Sequence, residues 1–169
     1  MASAQVQLDS RQLAHVLDVW PVARLATVNA ERQPQLVPIV FVAIDGVIYS
    51  PVDGKPKSTG DLQRLRNVAH SGAVSVLLDH YDEDWQALWW LRIDAAADVL
   101  AGHDLPAQDL ERISAALRSK YPQYEFVAIF RAAPTLLRIR PKRHVAWSAR
   151  AMAWDQLTAP SAHEGPDKS

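Results

Sequence analysis

Leu36-Val37-Pro38-Ile39-Val40-Phe41-Val42-Ala43-Ile44-Asp45-Gly46-Val47-Ile48-Tyr49-Ser50 is the stretch on which the fold turns. An apolar run from Leu36 to Ile44 is closed by Asp45-Gly46, a strong short-range hairpin signal, before a second run from Val47 to Ser50. Upstream, Val22 to Val28 reads as another strand, joined to Leu36 through a polar turn at Asn29 to Gln33. Together the three predict a meander. Pro38 cannot donate to a ladder, so it implies a bulge, an edge, or a place where backbone faces a ligand.

Outward from this stretch, Ser10 to Trp20 places Leu13, Val16, Leu17 and Trp20 on one helical face behind a Ser10 cap, and Pro21 ends it. Downstream, Gly60 to Ala69 reads as a helix, Ala73 to Asp79 as a strand, Tyr81 to Asp84 as an acidic loop and Trp89 to Leu100 as a long strand. Pro106 to Lys120 has helical spacing at Leu110, Ile113 and Leu117 and stops at Tyr121-Pro122. Thr135 to Arg140 alternates, with Leu137 and Ile139 on one face and Arg138 and Arg140 on the other. Antiparallel strands interrupted by a few helices predict an α+β domain whose sheet closes into a small barrel. A Rossmann sheet is disfavoured, because no Gly-x-Gly-x-x-Gly is present and strand and helix do not alternate regularly.

The 169 residues fit one domain, expected over 1–157, with a small, polar, Pro-containing tail over 158–169. Cysteine is absent, which excludes thiolate metal sites, cysteine nucleophiles and disulfides. Redox chemistry would therefore come from a bound cofactor. Met1 to Asp9 lacks the regions of a signal peptide and no apolar run reaches membrane-spanning length, so a soluble cytoplasmic protein is expected. The net charge of −1 argues against broad attraction to nucleic acid or an anionic membrane.

Between the Val47 to Pro51 strand and the Gly60 helix lies Lys55-Pro56-Lys57-Ser58-Thr59. Ser58 followed by Asp61 approximates a capping box, and Leu62, Leu65 and Val68 continue at helical spacing. Two lysines at a helix N-terminus oppose the dipole by about 0.3–1 kcal/mol each, and an anion would reverse that penalty. Phosphate held by backbone N–H groups, the Ser58 and Thr59 hydroxyls and the two ammonium groups fits; an exposed polar loop is the alternative.

In order and spacing, several segments resemble the pyridoxamine 5'-phosphate oxidase-like (PPOX-class) split β-barrel family: Ala26-Thr27-Val28, Pro34-Gln35-Leu36-Val37-Pro38, Tyr49-Ser50, and Lys55-Pro56-Lys57 with Leu62, Leu65, Arg66 and Asn67. Leu78-Asp79-His80-Tyr81-Asp82-Glu83-Asp84-Trp85, Trp89-Trp90-Leu91-Arg92, Lys120-Tyr121-Pro122-Gln123-Tyr124 and Arg138-Ile139-Arg140-Pro141 are similar to an actinobacterial branch described as oxidoreductases dependent on the deazaflavin coenzyme F420. The resemblance spans Trp20 to Trp147. It implies a six-stranded antiparallel split barrel with peripheral helices, dimeric, with cofactor in the groove between subunits. It further implies that Lys57, with Lys55 nearby, contacts the cofactor phosphate. Val37, Pro38 and Ile39, with Tyr49 and Ser50, would supply the backbone lining the ring system. Two positions depart: Ser71-Gly72 stands where relatives commonly have Asn-Pro, and His144 where an aromatic residue is expected near Trp147.

Hydride transfer from such a cofactor needs no protein nucleophile, so the lack of a catalytic triad is compatible with an enzyme. The six tryptophans are many for one small domain, and Trp85, Trp89 and Trp90 gather around one loop and strand start. Adjacent Trp89 and Trp90 must face opposite sides of a strand, one toward the core and the other, with Trp85 and Trp147, toward substrate or a subunit interface. Arg138 and Arg140, extended by Lys142 and Arg143, could bind the acidic tail of a polyglutamylated deazaflavin or a phosphate, or be a solvated face. His80 with Asp82 and Asp84 mimics a hard metal site, though acidic loops are usually solvated, and no metal is expected. The function these observations imply is hydride transfer from reduced coenzyme F420 to a small organic acceptor. The alternatives are an FMN-binding oxidase or reductase of the same fold and a non-catalytic cofactor or tetrapyrrole carrier.

Overall fold

The computed structural model describes residues 4–52, 60–130 and 133–150. Among these residues eight strands form one antiparallel sheet: β1 (Ala4–Val6), β2 (Ala23–Val28), β3 (Pro34–Ile39), β4 (Val42–Ile44), β5 (Val47–Pro51), β6 (Ala73–His80), β7 (Trp89–Ala101) and β8 (Thr135–Ser148). Three α-helices accompany them: α1 (Ser10–Val19), α2 (Gly60–Ser71) and α3 (Ala107–Lys120). The strand order is β3-β2-β6-β7-β8-β5-β4, with β1 pairing the end of β8.

β3 and β4 occupy opposite ends of that order, yet only Val40 and Phe41 separate them in the chain. Two residues span at most about 7 Å, so the two ends of the sheet must meet. The sheet therefore curls on itself, which confirms the expected α+β split barrel. The predicted meander needs correction. Leu36 to Ile44 is not one strand; it breaks at Val40-Phe41 into β3, which pairs β2, and β4, which pairs β5. Phe41 causes the break. Its side chain is fully buried, and its N–H and C=O are taken by the Tyr121 hydroxyl at 2.9 and 2.8 Å instead of by a ladder. That break and the short β1 raise the strand count from six to eight.

Asp45-Gly46 makes the expected two-residue hairpin, both residues at positive φ (51° and 77°), with Ile44 facing Val47 across it. The α1 cap is Asp9 rather than Ser10: Asp9 Oδ1 accepts from Gln12 N at 2.8 Å, and Gln12 Oε1 accepts from Asp9 N at 3.0 Å, a reciprocal capping box. α2 ends in Gly72 at φ 64°, whose N–H donates to Val68 O. β8 runs past the predicted end at Arg140, because Pro141 is accommodated by a register shift opposite Asp94 and Ala95 rather than ending the ladder.

Two apolar clusters result. The barrel interior holds Leu25, Ile48, Val76, Leu78, Leu91, Ile93, Leu137 and Ile139, closed by Val16 and Leu17 of α1 and Val68 of α2. The second lies outside the sheet, where Ile113 and Leu117 of α3 cover Val42, Leu100 and Leu136. α1 and α2 thus spend their apolar residues on the interior and α3 on one outer corner. No described helix is long and apolar enough to cross a membrane.

Candidate functional site

The helices leave open the outer face of β3, β2 and β6 and most of that of β7 and β8, and register assigns its rows. Pro38, Arg24, Leu77, Arg92 and Val145 are successive cross-strand partners and share one face; so do Leu36, Ala26, Ser75, Asp94 and Arg143. On one side of these rows lie Asp79, Trp90 and Trp147; beyond the register shift lie Ala96 with Arg140, then Asp98 with Arg138 and Tyr49. Exposure agrees with this assignment: Leu36 is 61 % exposed, whereas Leu91 and Ile93, alternating with these residues on β7, are fully buried.

Down the middle runs a ladder of charge. Asp94 accepts from Ser75 Oγ (3.0 Å) and from Arg143 Nε and Nη2 (3.2 and 2.6 Å), and it faces Arg92 Nε at 3.3 Å. The Arg143 hydrogen bonds hold the Asp94 carboxyl below its ordinary pKa. Asp98 accepts from Arg138 Nη2 at 2.7 Å and also pairs with Arg140, while Asp79 pairs with Arg24. Each of Asp94 and Asp98 serves two guanidiniums, so the ladder keeps a surplus of positive charge.

At the Trp90 end a cavity of about 390 Å³ is lined by Leu77, Asp79, His80, Tyr81, Leu88, Trp89, Trp90, Arg92 and Trp147. Three of the predicted indoles, Trp89, Trp90 and Trp147, therefore meet at one place. Trp85 does not join them; it is 74 % exposed and outside the lining. Trp89 is the core member of its pair, 4 % exposed and met edge-on by Trp20 at 4.5 Å.

Of the predicted cofactor residues, Pro38 lies on the open face, whereas the Val37 and Ile39 side chains pack toward the interior. Tyr49 is half-buried against the α3 cluster, and Ser50 points inward at 1 % exposure. Ser50 Oγ has no hydrogen-bond partner among the described residues. Lys55, Lys57, Ser58 and Thr59, and the tail expected over 158–169, lie outside the described residues. In α2, Asn67 donates to Thr27 Oγ1 and to Gln35 Oε1, both at 3.0 Å, and accepts from Gln63 at 2.9 Å, which locks α2 onto β2 and β3. His144 packs inward and lies 3.2 Å from Leu8 O, so this departure from the resemblance ties the start of the chain to β8. The acidic loop is built of turns in which Asp82 and Asp84 accept from backbone N–H groups, and no trio of metal-ligating side chains gathers among the described residues.

Sequence reading missed Leu77, Arg92, Asp94 and Asp98. The alternation Trp90, Arg92, Asp94, Ala96, Asp98 was the available signal, since one strand face carrying that many polar groups cannot be core. A second missed cluster sits at the seam. Lys120 Nζ donates to Leu17 O at 2.6 Å and lies 3.8 Å from the centre of the Phe41 ring; burial pushes it down to about 8, against the opposing field of Asp18. Tyr121 shares its proton between Pro21 O and Phe41 O, and burial pushes the phenol up to about 12.

No family model matches the chain, and no curated protein matches it. Solved structures do. Over 97 % of this chain and 96 % of its own length, the conserved hypothetical protein Rv2991 of Mycobacterium tuberculosis superposes with a TM-score of 0.67 at 20 % identity. A FAD-binding protein of Mesorhizobium loti gives 0.62 at 20 % identity over 89 % of this chain and all of its own. A protein described as an F420 reductase gives 0.55 at 18 % identity over 85 % and 100 %. The heme storage protein HutZ of Vibrio cholerae gives 0.61 at 15 % identity over 80 % and 92 %. The shared property is the split-barrel fold, which serves both reductases and heme-binding proteins.

Proposed function

We propose that this protein is a cytoplasmic oxidoreductase that uses reduced coenzyme F420 to transfer hydride to a small organic acceptor, working as a homodimer with cofactor in the groove between subunits. The observation that carries the reading is the composition of the open face. One continuous surface joins exposed Pro38 and Leu36, an indole-lined cavity and a ladder with more guanidinium than carboxylate. That combination suits a cofactor with a flat ring at one end and an acidic tail at the other; FMN, the alternative, has a single phosphate and no such tail.

In this reading Lys57 and Lys55, with Ser58 and Thr59, hold phosphate, and the backbone of Val37, Pro38 and Ile39 with Tyr49 and Ser50 lines the ring. The cofactor supplies the hydride. The chain supplies position, through β3 fixed by the Asn67 network, and dryness, through apolar Leu36, Pro38 and the indoles. Anaerobic oxidation of the reduced cofactor with a panel of electron-poor acceptors tests the proposal, with Lys57→Ala as control. Turnover that falls at least about tenfold in the variant is the expected result; cofactor that stays reduced with every acceptor overturns it.

His80 favours a second reading. It lines the indole cavity with Nε2 3.5 Å from Asp82 Oδ2, and a histidine beside a carboxylate at an apolar cavity would be the residue to hold a tetrapyrrole's metal. A shifted heme absorption band in the wild type that disappears in His80→Ala would support the carrier reading over the enzyme.

A further inference from the structure

The geometry points to the cavity floored by Trp90 and Trp147 as a binding site for a flat, uncharged ring compound bearing a carbonyl or hydroxyl oxygen. Size sets the class first: about 390 Å³ is in the range of small-molecule sites and offers no room for a folded partner element. Shape narrows it. Trp90 and Trp147 are direct cross-strand partners and half-buried, with Leu77 in the next row and Leu88 on the rim, so the ligand meets two indole surfaces and aliphatic carbon. Trp89, buried and braced edge-on by Trp20, makes a wall that does not have to be ordered on binding.

An ionic ligand fares poorly. Asp79 is held by Arg24, and Arg92 shares Asp94 with Arg143, so a cation meets no free carboxylate in the lining, and an anion meets one half-compensated guanidinium at the cost of its hydration among indoles and aliphatic carbon. A neutral oxygen does better, since Arg92 carries further N–H donors besides the Nε that faces Asp94 and His80 stands on the same lining. That this ligand is the hydride acceptor rests on the oxidoreductase reading; the site itself does not.

Calorimetry with coumarin, a flat neutral two-ring carbonyl compound, tests the site in the absence of any cofactor, so its failure is separate from failure of the F420 reading. One saturable coumarin per chain is expected, with affinity falling at least about tenfold, or about 1.4 kcal/mol, in Trp90→Ala and in Trp147→Ala. Trp90→Phe, which keeps a flat ring, should retain most of the affinity, and Trp85→Ala, outside the lining, all of it. Coumarin carboxylate and the bulky neutral ketone camphor should each bind at least about tenfold more weakly. The proposal is overturned by absence of saturable coumarin binding, by equal binding of camphor, or by Trp90→Ala binding as well as the wild type with its thermal transition intact. Sedimentation showing these indoles buried between two copies, with coumarin unable to compete, overturns it equally.

Discussion

The two faces of β7 share one backbone and differ in nearly everything else. Inward, Trp89, Leu91, Ile93, Ala95 and Ala97 are all buried; outward, Trp90, Arg92, Asp94 and Asp98 face the open side. The inner face is covered because the sheet closes at Phe41 and α1 and α2 cap it, whereas outward, among the described residues, only the Leu100 corner receives a helix. What separates core from candidate site is therefore the cover, and the charged ladder is the signature of a surface that the described residues leave uncovered. An open face this aromatic and this rich in arginine offers more than solubility requires.

The sharpest way to break the contrast is to truncate neighbours on opposite faces. Leu91→Ala should lower stability by about 2–5 kcal/mol, because the methyl groups leave a cavity in a closed interior. Trp90→Ala, one residue away, should cost far less stability while weakening ligand binding at its cavity at least about tenfold. Equal losses in denaturant titrations would erase the distinction between the faces.

Next in size is the seam. Tyr121→Phe deprives Phe41 N and O and Pro21 O of their shared partner, and a cost of about 1–3 kcal/mol is expected from buried groups left unpaired. Hydrogen exchange at Phe41 should accelerate more than exchange in β7.

Lys120 makes the seam sensitive to pH, and the sign follows from its lowered pKa. Below about pH 8 both folded and unfolded chains carry the proton, and the burial penalty is fully present. Between about 8 and the ordinary lysine value near 10.4, the unfolded chain binds more protons, so stability rises with pH through that window. Because Lys120 is only partly buried, a gain on the order of 1–2 kcal/mol is expected relative to Lys120→Met, measured as the difference in unfolding midpoints. Tyr121 acts oppositely: its pKa of about 12 means that the unfolded chain ionises first, and stability falls above about pH 10.

The smallest expected stability effect sharpens the contrast in function. Asp98→Asn leaves Arg138 and Arg140 without their shared carboxylate and should change stability by less than about 1 kcal/mol, as exposed ion pairs do. Affinity for an acidic cofactor tail should rise several-fold and fall steeply with salt. Unchanged affinity would remove the ladder from the cofactor site.

Much of the barrel was legible because period-two alternation and the Asp45-Gly46 turn are local signals. The break at Phe41 was not. It depends on a hydroxyl eighty positions away in the chain, and nothing local distinguishes Phe41 from Val40 or Val42. The α1 cap moved by one residue because Asp9 and Ser10 are both good caps, and only the reciprocal Gln12 bond decides between them. At the candidate site, the opposed directions of Trp89 and Trp90 followed from strand geometry alone. Their meeting with Trp147 needed the register of β8, which continues past Pro141 where sequence reading stopped.

Side-by-side equilibrium binding of coenzyme F420 and FMN to the wild type, and to a variant carrying Arg138→Ala with Arg140→Ala, addresses the open face most directly. The expected result is tighter binding of F420 than of FMN, with the preference lost in the variant while FMN affinity stays within about twofold. Tighter FMN binding, or an F420 affinity indifferent to both arginines, would contradict it.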